Sequence, residues 1–442
     1  MKKNFFKFVV PSMISLFFTG IYVSIDGFFV GRAVGDMGLA AINIAWPIAA
    51  VILAAGTGIG MGGAINISHH LGAGRKDQAD RALGNTLSLL LIASILLTMT
   101  TLLFSKPLLR LMGAEGDLLS LGYDYIRIIG LGAALQVMGT GVTPLLRNQN
   151  KAWLAMALMI SNFVIDTVLS GVFVMVLGYG VIGAAAASLV GQTIAIIPAL
   201  IILFKKETRV SMINYIPNLG MVKNIIKVGA SPFGLSLIPS LSIVVINWQA
   251  LSYGGTTAVA AYAVVSYILS TGQLLLEGIG DGSQPLISYE YGANNSATVR
   301  TLRKWTYQLA LITSLILMFA VILLTYQIPV IFGVSENTAL ILHKALPICG
   351  LTLPLYALTR TSSAYFYAIK HSVYASILIY SEILVILPLS IIILPMVIKL
   401  TGVWIAMVVS QFILVLISMF FIRKSNDVRV SQSMSADLMY RE

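Results

Sequence analysis

Long apolar runs, separated by short polar or glycine-rich breaks, fill this chain from near one end to the other. A bilayer core about 30 Å thick takes roughly 20 apolar residues as a helix. Twelve runs approach or exceed that length, near residues 8–30, 39–66, 80–104, 118–145, 153–177, 182–204, 228–251, 259–287, 306–332, 341–368, 373–398 and 402–422. None shows the alternation of a barrel strand, and a helix pairs its backbone groups within its own segment. The pattern predicts an all-α membrane protein with twelve transmembrane helices.

The chain also repeats itself with a shift of 220 residues. Residues 58–73 read GIGMGGAINISHHLGA and residues 278–293 read GIGDGSQPLISYEYGA, with Gly58/Gly278, Gly60/Gly280, Gly62/Gly282, Ser68/Ser288 and Gly72/Gly292 among the identities. With a slip of one residue, Pro11 lies over Pro232 and Asp26 over Asn247. Six helices per copy is an even number, so both copies enter the membrane in the same sense and the repeats are parallel. The expected division is a first lobe over 1–204, a connecting segment over 205–227, a second lobe over 228–424 and a tail over 425–442. A duplicated membrane bundle points to a transporter whose substrate site lies between the copies.

Composition agrees: 58% of residues are hydrophobic and only 10% are charged. The net charge of +11 taken alone suggests nucleic acid, but its placement points to topology. With the N-terminus inside, 21 Lys and Arg fall on the cytoplasmic side, Arg147 among them, against six outside, with Arg360 inside a span. That asymmetry predicts a multi-pass protein of the cell inner (plasma) membrane with both termini cytoplasmic. Lys2 and Lys3 before an apolar run imitate a signal peptide, yet the run is long, no cleavage pattern follows, and the second copy has its counterpart. The single Cys349 excludes an internal disulfide.

Charged groups at a helix centre cost roughly 2.5–3.5 kcal/mol each on insertion scales, so those inside the spans carry the candidate chemistry. They are Asp26, Asp166, Glu277, Asp281 and Glu382. Asn162 and Asp166, four apart, share one helix face. Together with Asp26 they form an oxygen-bearing set able to hold Na⁺ or share a proton. Glu277 and Asp281 are also four apart, and Glu382 lies 220 residues beyond Asn162, so the second lobe has its own acids in different places. Those acids, Glu277, Asp281 and Glu382, are candidates for the substrate cavity, suiting either a cationic substrate or a second proton site; of the first two, Asp281, near the cytoplasmic end, is the more readily explained by simple solvation. Thirteen of the 18 Tyr lie after residue 221, and Tyr262, Tyr267 and Tyr356 beside carboxylates suit flat cations through cation–π contact. Gln136, Met138 and Met159 complete the expected wall of the substrate cavity, methionine supplying an adaptable surface.

At LRNQNKAWLAMALMISNFVIDTVL (146–169) and QPLISYEYGA (284–293), combined with the six-plus-six duplication, the chain resembles the multidrug and toxin extrusion (MATE) exporters, in a bacterial, MepA-like branch. The resemblance covers the chain to about residue 422. It implies two V-shaped lobes and an antiporter that exports amphiphilic, mostly cationic compounds, driven by Na⁺ or H⁺. It implies a first-lobe cation site made by Asp26, Asn162 and Asp166 and completed by a helix-six hydroxyl, for which GAAAAS (183–188) offers Ser188. Pro11 occupies the family's first-helix proline and offers a hinge, since it lacks an N–H. Two departures stand out: Asn150-Lys151 replaces a Gly-Asn-Pro before the lysine, and Asp166 is followed by Thr167 rather than proline.

The expected partners are small amphiphilic molecules and the bilayer, with no nucleic acid, no cofactor beyond the coupling ion, and a monomeric state. A flippase or exporter of lipid-linked sugars or other metabolites is the alternative, although the extra helices and strongly basic cavity of such proteins are not evident. A membrane-embedded enzyme would need a nucleophile–base set or a metal cluster in the spans, and His343 and His371 stand isolated near loops. Gly58 to Gly63 matches GxGxxG formally, but without a preceding strand it reads as helix packing with a kink. No Walker motif is present.

Overall fold

The structure, a computed structural model, describes residues 1–203 and 211–439, and side chains except those at 23, 24, 26, 27, 36 and 426–439. Among the described residues there is no strand. The first lobe comprises α1 (Lys2–Val34), α2 (Asp36–Gly72), α3 (Lys76–Leu111), α4 (Gly116–Leu131), α5 (Ala133–Asn148), α6 (Ala152–Ser170) and α7 (Gly180–Leu203). The second comprises α8 (Leu219–Gly292), α9 (Ser296–Leu323), α10 (Gln327–Phe332), α11 (Glu336–Gly350), α12 (Thr352–Ala368), α13 (Ser372–Ser381) and α14 (Leu387–Met439). A π-helical turn extends α6 over Gly171–Val176, and another, Glu382–Ile386, joins α13 to α14.

Two elements are too long for one crossing. The 74 residues of α8 would span about 110 Å as a straight helix. They break at Gly255, where φ is 65° and ψ is −164°, a conformation open essentially to glycine. Gly35, 220 residues earlier, joins α1 to α2 with φ 77° and ψ −162°, so the repeat reuses the same backbone corner. In α14 the break falls at Ile398 and Lys399. Dividing both helices, and counting the α4–α5 pair bent by 57° as one span, gives a set of apolar helices among the described residues that is consistent with twelve crossings. The helix boundaries run beyond the apolar runs; the second lobe's first helix starts at Leu219, not near 228.

Exposed Leu91, Ile95, Leu96 and Leu103 on α3 recur at helical spacing, an apolar face that lipid covers. The connection between lobes is held to α3: Asn85 Nδ2 donates to the Asn214 carbonyl at 3.0 Å, and Ser88 Oγ to that of Tyr215 at 2.6 Å.

The glycine motif of each repeat packs on the proline-bearing first helix of the other lobe. A Cβ at Gly58 would stand 2.8 Å from Phe233 Cβ, and one at Gly62 would collide with the Ile225 carbonyl, both on the first arm of α8. Conversely, a Cβ at Gly278 or Gly282 would stand 2.5 Å from Met13 Cα or 2.6 Å from Val9 Cα on α1. The motif is packing, as expected, and α2 is assigned as helix throughout it. Helix α1 likewise continues through the buried Pro11. At the face where the chain enters α1, the terminal face, Gly72 lies on the Tyr289 carbonyl and Gly292 on that of His69.

Candidate functional site

In the first lobe, Asn162 and Asp166 occupy successive turns of α6 and face α7. The contact is close because α7 presents Gly191: a Cβ there would lie 2.9 Å from Asn162 Oδ1 and 3.2 Å from Asp166 Cβ. Asp166 is 1% exposed, and Asn162 Oδ1 is buried without a hydrogen-bond partner among the described residues. Ser188, three residues before Gly191 and therefore on the same face of α7, is also buried. Gln192, next to Gly191 in sequence, also has a buried amide oxygen without a partner among the described residues. An amide oxygen left so costs about 1–3 kcal/mol, which a bound cation would offset. The side chain of Asp26 lies outside the described residues. Its helix runs along α6, with Phe18 on Phe163 at 5.3 Å and the Phe29 ring 3.6 Å from where a Gly171 Cβ would stand, so position 26 falls between these contacts.

The second lobe carries a continuous polar chain instead. Tyr356 Oη on α12 donates to Glu277 Oε1 at 2.6 Å. One turn further, Arg360 covers the Tyr356 ring at 4.7 Å and donates from Nη2 to Glu382 Oε2 at 3.0 Å. Gln411 Nε2 on α14 donates to the other oxygen, Glu382 Oε1, at 2.7 Å. Arg360 and Glu382 are 4% and 7% exposed at their side chains. Glu277 itself keeps partial exposure. Glu277, Tyr356, Arg360 and Glu382 stand 220 residues beyond Thr57, Gln136, Thr140 and Asn162. The same frame therefore holds charged groups in one lobe and neutral polar ones in the other. Gln136 is buried with Oε1 unpartnered.

Asp281 corrects an expectation. It is not merely solvated: Arg147 Nη1 on α5 reaches Asp281 Oδ2 at 3.3 Å, and Tyr367 Oη on α12 donates to Oδ1 at 2.9 Å. Arg147, counted from sequence among the loop cations, is 7% exposed and lies between the lobes. Of the aromatic candidates, Tyr356 joins the acid chain, whereas Tyr262 is buried in the second lobe's core and stacks on Trp404 at 6.3 Å. Tyr267 lies apart from both, in an apolar crevice of about 250 Å³ with Ile21, Ile25, Phe28 and Phe332. Met138 packs at the edge of the first lobe's core, and Met159 is half-buried on α6. Sequence reasoning missed Gln411, the contact of Tyr367 with Asp281 and the pairing of Arg147, although Arg147 and Tyr367 stand in the 220-residue register.

Comparison with known proteins agrees with this architecture. The MatE family model matches residues 11–172 and 233–392, one stretch in each lobe. The multidrug export protein MepA of Staphylococcus haemolyticus is 24% identical over 424 residues, covering 95% of this chain and 93% of the relative. MepA of Staphylococcus saprophyticus is 24% identical over 364 residues, covering 81% of this chain and 78% of the relative. Among solved structures, an outward-facing multidrug resistance MATE transporter superposes with a TM-score of 0.91 at 26% identity, covering 97% of this chain and 96% of that one.

Proposed function

The chain belongs to the MatE family of membrane transporters, and from that premise we propose that it is a cation-coupled antiporter exporting amphiphilic, mostly cationic compounds by alternating access. Its work is transport, not chemical turnover. The observation that carries the coupling half of this reading is the close approach of Gly191 to Asn162 and Asp166, with Asn162 Oδ1 buried and unpartnered among the described residues. An amide oxygen beside a carboxylate fits a hard monovalent cation, and the carboxylate fits a proton. Asp26 on the adjacent helix and Ser188 complete the proposed set.

In this reading the terminal face is cytoplasmic, as the distribution of Lys and Arg favours. Entry of Na⁺ or H⁺ to Asp26 and Asp166 changes their charge state while drug leaves outward, and Pro11 supplies the hinge of α1. Each net inward charge per cycle at 100 mV supplies about 2.3 kcal/mol, roughly a 50-fold concentration ratio. Glu277, partly exposed and next to Tyr356, receives the cationic group of the substrate.

The test is ethidium transport by the purified protein in liposomes under separately imposed Na⁺ and pH gradients. With Na⁺ as coupling ion, Asn162→Ala raises the Na⁺ concentration needed for transport. With a proton alone, Na⁺ has no effect at any pH and the asparagine matters only modestly. Transport that responds to neither gradient would sink the coupled mechanism.

A further inference from the structure

At the terminal face the two lobes are joined by a compact polar cluster that the transport reading leaves unused. Asp281 sits on the second arm of α8, where Met61 sits in the first repeat. It is gripped from both lobes by repeat-equivalent positions: Arg147 of α5 at 3.3 Å and Tyr367 of α12 at 2.9 Å. One carboxylate thus lies where the pseudo-twofold relation brings residues 147 and 367 together.

The next residue on α5 repeats the pattern. Asn148 Nδ2 donates to Gln284 Oε1 at 3.1 Å, and Gln284 Nε2 donates back to Asn148 Oδ1 at 3.2 Å. Ser68 Oγ on α2 also donates to Asn148 Oδ1, at 2.6 Å. Gln284 is 1% exposed and Asn148 9%, so the reciprocal pair is sealed from water. The Arg147–Asp281 and Asn148–Gln284 bonds cross between the lobes and exist only while the lobes touch, whereas Tyr367 and Ser68 hold Asp281 and Asn148 from within their own lobes. Parting them uncovers a carboxylate, a guanidinium and two amides at once, and water must then enter to solvate them.

From this geometry we infer that the Arg147–Asp281 ion pair and the Asn148–Gln284 amide pair form a latch that holds the lobes together at the terminal face. Its release admits substrate from that side, and its closure accompanies discharge on the other. The latch rests on the alternating-access reading above. Its elements are tied to both sites: α5 turns directly into α6, which carries Asn162 and Asp166, and Asp281 is one turn from Glu277. Arg147 and Asp281 act on lobe position and are not placed against substrate.

The experiment uses the full chain in liposomes, with Cys349→Ala and spin labels at Gln78→Cys and Ala297→Cys, exposed positions on α3 and α9 at the terminal face. Asp281→Asn and Arg147→Gln should each move the ratio of long to short label distances roughly tenfold towards long, the scale of losing a charge-assisted bond. Tyr367→Phe should shift it in the same direction by less. The exchange of Arg147→Asp with Asp281→Arg should recover much of the short distance, which identifies the ion pair even where a single variant folds poorly. Unchanged distances in Tyr367→Phe and the single variants would overturn the latch, as would an exchange no better than either single variant. Ethidium export by the parent protein is measured alongside: its absence counts against the transport reading, whereas unmoved distances in exporting protein count against the latch alone.

Discussion

Arg360 on α12 donates to Glu382 at 3.0 Å, in a lobe whose counterpart has Thr140 and Asn162 at the same repeat positions. The pair divides the labour of the two lobes. The second carries its own fixed cation, so Glu382 is already neutralised and Glu277 remains as the carboxylate not salt-bridged within that chain. The first has no such arginine at 140, and a mobile ion is proposed to fill the equivalent role.

Removing one member of the Arg360–Glu382 pair should be more harmful than removing both. Arg360→Met leaves Glu382 buried without its cation, a loss of about 3–5 kcal/mol for a buried ion pair. Arg360→Met with Glu382→Gln should recover most of it, because Gln411 can still bond the amide. Thermal unfolding of the purified variants in detergent gives the comparison. Equal losses in the single and double variants would show that the pair is not a coupled unit.

The glycine motif yields a second test. Gly62→Ala places a methyl on the Ile225 backbone carbonyl, which has no flexible end to yield. It should destabilise the protein by about 1–3 kcal/mol, typical of overpacking, and reduce ethidium export. Gly139→Ala, with nothing within 4 Å of the added carbon, is the control and should express and unfold like the parent. Parallel behaviour of the two variants would remove the motif from the lobe interface.

Glu277→Gln should weaken export of cationic compounds by about tenfold, the scale of one lost charge-assisted bond, with little effect on neutral compounds of similar size. Tyr356→Phe should give a weaker effect of the same kind, since the phenol holds Glu277 Oε1 at 2.6 Å without carrying the charge. Export assays with a matched cationic and neutral pair decide it. Equal loss for both compounds would move Glu277 from substrate recognition to coupling or folding.

Much of the fold was legible because apolar run length and the 220-residue register are one-dimensional signals. Gly35 and Gly255, the two helix corners, could be aligned by counting alone. The partners of the charged groups could not. Whether Arg147 faces loop solvent or Asp281 depends on what α5 meets: Gln136, Thr140, Thr143 and Arg147 mark one polar stripe at helical spacing, but a stripe does not name the partner across the lobes. Arg360 was visible as a cation inside a span, but Gln411, which shares Glu382 with it, lies on a helix whose register slips by one residue: Gly402 falls over Gly183 at a shift of 219.

The turn between α12 and α13 supplies a prediction from proton linkage. Lys370 adopts φ 59° there, outside the spans, and burial together with the Arg75 charge lowers its pKa from 10.5 to about 8. His69 and His70 stand close by. Between pH 8 and 10.5 the unfolded chain keeps the proton that the native state gives up, so the native state gains stability as pH rises through that window. Below pH 8 the cost of the buried ammonium is fully present. Lys370→Gln should therefore raise the unfolding midpoint at pH 7 and reduce the gain that the parent shows between pH 8 and 10. Comparing variant with parent at each pH removes the contributions of the other lysines and tyrosines. A variant whose stability tracks the parent at every pH would mean that the lysine amine is solvated, and that the crowding by Arg75 costs the native state nothing.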